Sequence, residues 1–247
     1  LTRNQLVQLA NEEQDSIFTS PLLRLSQITS ELQEEVMKTR MQPIANAWNK
    51  VPRLVRELSK DLNKKIELVQ KGEDTELDRQ VLELIKDPLT HMIRNAADHG
   101  LETNEERKLT GKFEVGKIFL NAYHKGGSIV IEVGDDGRGL DVEKIKSKIL
   151  EKGLATSEEL AGLTDGQILQ YIFKAGFSTA SQITSISGRG VGMDVVKGNI
   201  EKLGGSIELS STLGNGTKFF IKIPLTLTII SALIIESCGA HFAIPQI

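Results

Sequence analysis

The sequence predicts an α+β protein in which a helical hairpin precedes a mixed domain of strands and helices. Three observations carry this. Apolar residues recur at helical spacing up to about residue 62. From Lys65 onward the period changes, and short alternating stretches interleave with helical ones. Gly126-Gly127 separates two of the alternating stretches at hairpin spacing.

In chain order, Leu6, Leu9 and Ala10 form a short helical stripe, residues 15–21 supply turn chemistry, and Leu22, Leu25, Ile28, Leu32 and Val36 resume the helical spacing. Residues 1–42 therefore read as a helical hairpin. Its second arm has too few neighbours to bury its stripe alone, and pairing with another copy or packing on the main domain satisfies the pattern equally. Pro43 and Pro52 break the helical run, which puts a domain boundary near residue 42, and Pro52 suits the first residue of a helix carrying Leu54, Val55, Leu58 and Leu62. A strand is expected at 66–69, a helix at 77–97, and strands at 117–123 and 129–133. Helices are expected at 142–151, 165–173 and 192–203, with strands at 206–209 and 218–223. A new strand begins at Leu227, and the chain stops before a further unit could close.

The 247 residues are enough for one large or two to three unequal domains. With 39% hydrophobic and 26% charged residues, the composition is that of a folding chain. The net charge of −3, from 30 basic and 33 acidic residues spread along the sequence, leaves no electrostatic footprint for nucleic acid. Cys238 stands alone, which excludes an internal disulfide framework and fits a reducing cytoplasm. The longest apolar stretch, 225–235, is interrupted by Thr226, Thr228 and Ser231 and is too short to cross a bilayer, so no direct membrane insertion is expected. The chain opens on Leu1 without a visible signal peptide and reads as a fragment.

Three motifs point to chemistry. His91, Asn95 and Asp98 or His99 fall on one helical stripe, with Met92, Ile93 and Ala96 on the apolar side. A solvent-facing polar stripe explains that pattern as well as a ligand site does. Asp135-Asp136-Gly137-Arg138-Gly139 follows a strand, where a carboxylate can accept a hydrogen bond from an adenine amino group and glycines let the backbone approach a ligand. Alone, such a segment also marks ordinary turns. Gly188-Arg189-Gly190-Val191-Gly192-Met193 opens a helix whose free amides and positive dipole end suit phosphate oxygens. The Rossmann reading fails because no apolar strand precedes this loop, and the Walker A reading fails because no Lys-Ser or Lys-Thr follows it.

Taken in order, the Asn-bearing helix, the DxGxG of 135–139, Phe173 to Phe177, the GxGxG loop and 214–219 resemble the five boxes of the GHKL (Bergerat) ATPases. Within that superfamily, GEDTELDR (72–79), DPLTHMIRNAADHGLE (87–102), GFSTA (176–180) and SGRGVGMDVVK (187–197) resemble the histidine kinases of bacterial chemotaxis. The resemblance runs from about residue 22 to the end. It implies an α/β sandwich kinase domain over 43–225, a dimerisation hairpin over 1–42, and the first strands of a regulatory β-barrel over 226–247.

By motif position, the resemblance makes Asn95 the Mg2+ ligand and Asp135 the adenine-reading carboxylate, which Thr217 supports through its hydroxyl and a water. Gly137 and Gly139 then belong to the adenine pocket. Asp98 joins the ATP contacts, with His99, Lys144 and Lys148 at the phosphates. Without the resemblance, the two lysines would read as a solvated helix face. Residues 153–187 correspond to an ATP lid, with Ser178, Ser187 and Gly188 to Met193 completing the site. The implied reaction moves the ATP γ-phosphoryl to a histidine on a separate phosphotransfer domain. The implied partners are a second copy, that domain, a response regulator, and an adaptor with chemoreceptors. Two rivals stand beside it: an ATP-hydrolysing machine and a nucleotide-sensing scaffold. Hydrolysing relatives carry Glu four residues before the Asn, where this chain has His91.

Overall fold

A computed structural model describes residues 19–177, 192–224, 232–237 and 240–245. The chain divides into two compact units, Leu1–Met41 and Gln42–Ile247. In the first, helix α1 spans Thr19–Lys38, and Leu23, Leu25, Ile28, Leu32 and Val36 along it are about half exposed or more. The expected first arm of the hairpin lies outside the described residues.

Strand β1 (Met41–Pro43), whose last two residues begin the second unit, pairs with β3 (Glu76–Asp78) and is followed by the one-turn helix α2 (Ala45–Trp48). Helix α3 (Val51–Asp61) starts one residue before Pro52, in the first turn where a missing N–H costs nothing. Its Val55 and Leu58 are buried, joining Ile44 and Trp48 in the core.

The sheet has the order β2-β4-β5-β7-β6, with β2 (Ile66–Lys71), β4 (Gly116–Lys125), β5 (Ser128–Asp135), β7 (Gly216–Pro224) and β6 (Ser206–Thr212). Only β2 with β4 is a parallel pairing within it; the other neighbours run antiparallel. Gly126 and Gly127 join β4 to β5 with φ of 58° and 73°, the doubly positive pair that a type I′ turn requires. Register aligns Ala122, Ile131, Ile221 and Ile207 in one row across four strands. All four are buried. The alternate residues carry polar pairs, such as the Tyr123 hydroxyl donating to Glu132 at 2.7 Å, so one face is apolar and the other wet.

Helices cover the apolar face. Helix α4 (Arg79–Asn95) contributes Leu82, Ile85, Leu89, Met92 and Ile93 to the core. It begins later than the expected residue 77: Leu77 belongs to β3, and Asp78 caps the helix by accepting from the Gln80 amide at 2.7 Å. Beyond α4 come α5 (Asn104–Leu109), α6 (Val142–Glu151), α7 (Ser157–Ala161), α8 (Asp165–Leu169) with a 3-10 turn to Phe173, and α9 (Met193–Lys202). The strands β8 (Ala232–Ser237) and β9 (Ala240–Pro245) form their own two-stranded ladder. No helix among the described residues is long and apolar enough to cross a membrane.

Candidate functional site

The polar stripe of α4 does not continue as α-helix. At Ala96–Gly100 the backbone widens into a π turn, closed by the Leu101 amide donating to the Ala96 carbonyl at 2.8 Å. The extra residue shifts the phase, so Asp98 and His99 are exposed while His91 and Asn95 stay half-buried. The carbonyls freed by the π turn meet a buried cation: Lys64 Nζ donates to Ala97, Asp98 and Leu101 oxygens at 2.7–2.8 Å. A cation at a helix C-terminus suits the negative dipole end, and burial pushes the Lys64 pKa down. Lys64 was not singled out from the sequence.

Asp135 ends β5 inside the protein and is only 4% exposed. One carboxylate oxygen accepts from the Gly137 amide at 2.9 Å, and the Thr217 backbone amide also donates to the group. Burial pushes its pKa up to about 6 against those two hydrogen bonds, and the nearby Asp136 and Glu102 push the same way. Gly100 borders the other oxygen: a Cβ there would lie 2.9 Å from Oδ2. A Cβ on Gly137 would sit 2.0 Å from the Gly100 carbonyl oxygen, so the loop and the π turn touch backbone to backbone. The Arg138 amide completes that contact by donating to Gly100 O at 2.9 Å.

Thr217 is buried; its hydroxyl lies 3.0 Å from Ser211 Oγ, and its backbone amide donates to the Asp135 carboxylate. Ser211 is a further residue that sequence reasoning missed. It accepts from the Leu140 amide at 2.9 Å and lies 3.0 Å from Gly216 O, tying the segment after Gly139 to the β6–β7 turn.

Behind the loop lies a second feature absent from the sequence reading, a buried ion network. Arg107, 2% exposed, donates to Glu102 at 3.0 Å and to the Asp136 carboxylate at 2.9 Å. Lys112 donates to Glu102 at 2.7 Å and to the carbonyls of Asp136 and Gly137 at 2.9 and 2.7 Å. Glu102 is held below the usual carboxylate range: burial works to raise it, and the Lys112 bond, its own backbone and Arg107 outweigh that.

Several other expected site residues reach solvent. His99 is exposed and its ring lies 3.5 Å from the Asp98 carboxylate. Asn95 Nδ2 donates to the sulfur of Met193 at 3.6 Å, which brings the start of α9, capped by Gly192, beside the Asn-bearing helix. Lys144 reaches Asp141 at 3.5 Å on the solvent side of α6, and Lys148 lies 5.5 Å above the Phe177 ring. His91 sits half-buried, its pKa pushed down by burial and then by Arg94. Ser178, Ser187, Gly188, Arg189, Gly190 and Val191 lie outside the described residues.

Residues 85–227 match the family of histidine kinase-, DNA gyrase B- and HSP90-like ATPases. The chain is 50% identical over 234 residues to a sensor histidine kinase CheAY of Helicobacter pylori, covering 95% of this chain and 29% of that protein. It is 49% identical to the chemotaxis protein CheA of Bacillus subtilis, covering 99% of this chain and 36% of that one. The CheA of Salmonella typhimurium is 44% identical, with 99% of this chain and 36% of that protein covered. The chain thus spans about a third of the length of these curated relatives.

Proposed function

From a chain that belongs to the histidine kinase-, DNA gyrase B- and HSP90-like ATPases, we propose the ATP-binding core of a chemotaxis histidine kinase, which passes the γ-phosphoryl of ATP to a histidine on a separate phosphotransfer domain. The observation that carries the nucleotide assignment is Asp135, a buried carboxylate fixed on one oxygen by Gly137 and bordered on the other by a glycine rather than a side chain. An amino group on a flat base is the donor such a carboxylate lacks. The near-50% identity to proteins named sensor histidine kinase CheAY and chemotaxis protein CheA supports the choice of kinase within the family.

Asn95 supplies the metal ligand. Its Nδ2 is given to Met193, which leaves the amide oxygen as the atom that would hold a hard cation. Bound magnesium neutralises charge on the triphosphate. Lys144 and Lys148 add positive charge for the phosphates, the His99 ring adds a polar group, and the amides at the start of α9 add hydrogen-bond donors. The acceptor imidazole brings its own lone pair, so the domain needs to position ATP and offset charge rather than activate a water. His91, held half-buried and on the neutral side, serves as an orienting neighbour of Asn95.

Residues 1–42 act as a dimerisation hairpin, whose α1 stripe pairs with a second copy; 43–225 form the kinase domain, and 226–247 begin a regulatory barrel that meets an adaptor and receptors. Incubation with labelled ATP and a phosphotransfer domain tests the central reading. Acid-labile label should appear on the supplied histidine, with slow hydrolysis by the chain alone. Rapid turnover that needs His91 and ignores the acceptor would establish a hydrolase instead.

A further inference from the structure

The Asp136–Gly137 peptide unit is gripped at both ends. Its N–H donates to the Asp135 carboxylate at 2.9 Å. Its carbonyl oxygen accepts from two cations, Lys112 Nζ at 2.9 Å and Arg107 Nη1 at 3.3 Å. In a trans peptide these two groups point in opposite directions, so whatever fixes the carbonyl also aims the amide. The next peptide repeats the arrangement: the Gly137 carbonyl accepts from Lys112 at 2.7 Å, and the Arg138 amide donates to Gly100 of the π turn at 2.9 Å.

We propose that Lys112, seconded by Arg107, is a positioning residue for nucleotide-base recognition, acting through the Asp136–Gly137 peptide on the Asp135 carboxylate. This rests on the reading of Asp135 as the adenine contact. Two cations on the carbonyl polarise the peptide and strengthen its N–H as a donor. The amide then holds Oδ1 in place and leaves Oδ2 for the base. The same two cations hold Glu102 and the Asp136 side chain, the anions that face Asp135 from the π-turn exit and from its own loop. Asp135 consequently meets backbone donors from Gly137 and Thr217 while the neighbouring negative charge is paired elsewhere.

The test is a double-mutant cycle on ADP affinity, measured by calorimetry on the whole chain. Lys112→Met keeps the aliphatic stem and removes the charge and donors; Lys112→Arg keeps the charge and serves as rescue. Lys112→Met should weaken ADP about five- to tenfold, with Lys112→Arg within about twofold of the parent. In an Asp135→Asn background the Lys112→Met effect should shrink to less than about twofold, because the path runs through the carboxylate. The pH below which ADP affinity declines should also move upward in Lys112→Met, a change that loss of packing alone does not cause. Thermal melting confirms folding of each variant, and should Lys112→Met not fold, the cycle is run with Lys112→Gln. Equal Lys112→Met losses in both backgrounds, or none in either, with Asp135→Asn itself weakening ADP, overturn the positioning role alone. If Asp135→Asn leaves ADP affinity unchanged, the base assignment fails as well.

Discussion

The two ends of the candidate site are built differently. At the base end, Asp135 and Thr217 are 4% and 6% exposed, and buried hydrogen bonds hold the surrounding backbone. Among the residues proposed for the phosphates, the side chains of His99 and Lys144 are 79% and 86% exposed, and each lies 3.5 Å from an aspartate carboxylate. A buried, pre-set carboxylate gives selectivity because its geometry is fixed before the ligand arrives. Exposed cations gain their value only when ligand and metal gather them. On the proposed function, recognition belongs to the rigid end and chemistry to an end completed by the nucleotide.

The largest effect should come from the open end. Asn95→Asp replaces a neutral metal ligand with an anion beside the triphosphate, and phosphoryl transfer to the phosphotransfer domain should fall below detection. Metal-free ADP binding should change by roughly threefold or less, the scale of a partly screened charge. A variant that transfers normally would remove Asn95 from the metal site. His91→Ala should reduce transfer less, since it loses an orienting neighbour rather than the ligand.

At the rigid end, Asp135→Asn should weaken ADP and ATP alike by more than about tenfold, the ~1.4 kcal/mol or more of a charge-assisted hydrogen bond. ATP should be preferred to GTP in the parent and not in the variant, because the guanine carbonyl offers no donor to a carboxylate. Equal calorimetric affinities for parent and variant would break the contrast between the two ends.

The same carboxylate makes binding and stability respond to pH in opposite directions. With its pKa raised to about 6, Asp135 holds a proton more tightly folded than unfolded, so its contribution to stability is fullest below pH 4 and is lost as pH rises through 6. The adenine amino group favours the ionised form. ADP affinity should accordingly fall as pH drops below about 6, by at most about tenfold per unit. In Asp135→Asn any slope that remains belongs to the phosphates and histidines. A parent slope no steeper than that of the variant would contradict the assignment.

Much of this was legible in the sequence, for reasons that differ between the ends. Gly126-Gly127 marked its hairpin because a doubly positive φ is a local demand. Asp135 was visible because a motif keeps carboxylate and glycines adjacent. Helices α5 and α7 were overlooked although Thr103 with Glu106 and Thr156 with Glu159 form capping boxes that a local reading can find. Lys64 and Lys112 were beyond reach: their carbonyl partners lie 33–37 and 24–25 residues away, and only tertiary folding brings them together. The π turn was hidden likewise, since a straight helix puts Asp98 and His99 on the Asn95 stripe. The parallel pairing of β2 with β4 leaves no local signature either.

The smallest effect should be that of Lys144, and it sharpens the comparison most finely. Its side chain is 86% exposed and its ammonium lies 3.5 Å from Asp141, so water and salt screen whatever it offers a phosphate. Lys144→Ala should weaken ATP by only about two- to threefold at low ionic strength, and by less at physiological salt. Lys148 differs because its cation lies over the Phe177 ring. Lys148→Ala removes packing as well as charge, so part of its loss should persist when salt is raised. Titrating both variants with ATP at two salt concentrations separates the contributions. If the Lys144→Ala loss is tenfold and insensitive to salt, that lysine is buried against the triphosphate in the complex, and the phosphate end becomes as enclosed as the base end once the nucleotide binds.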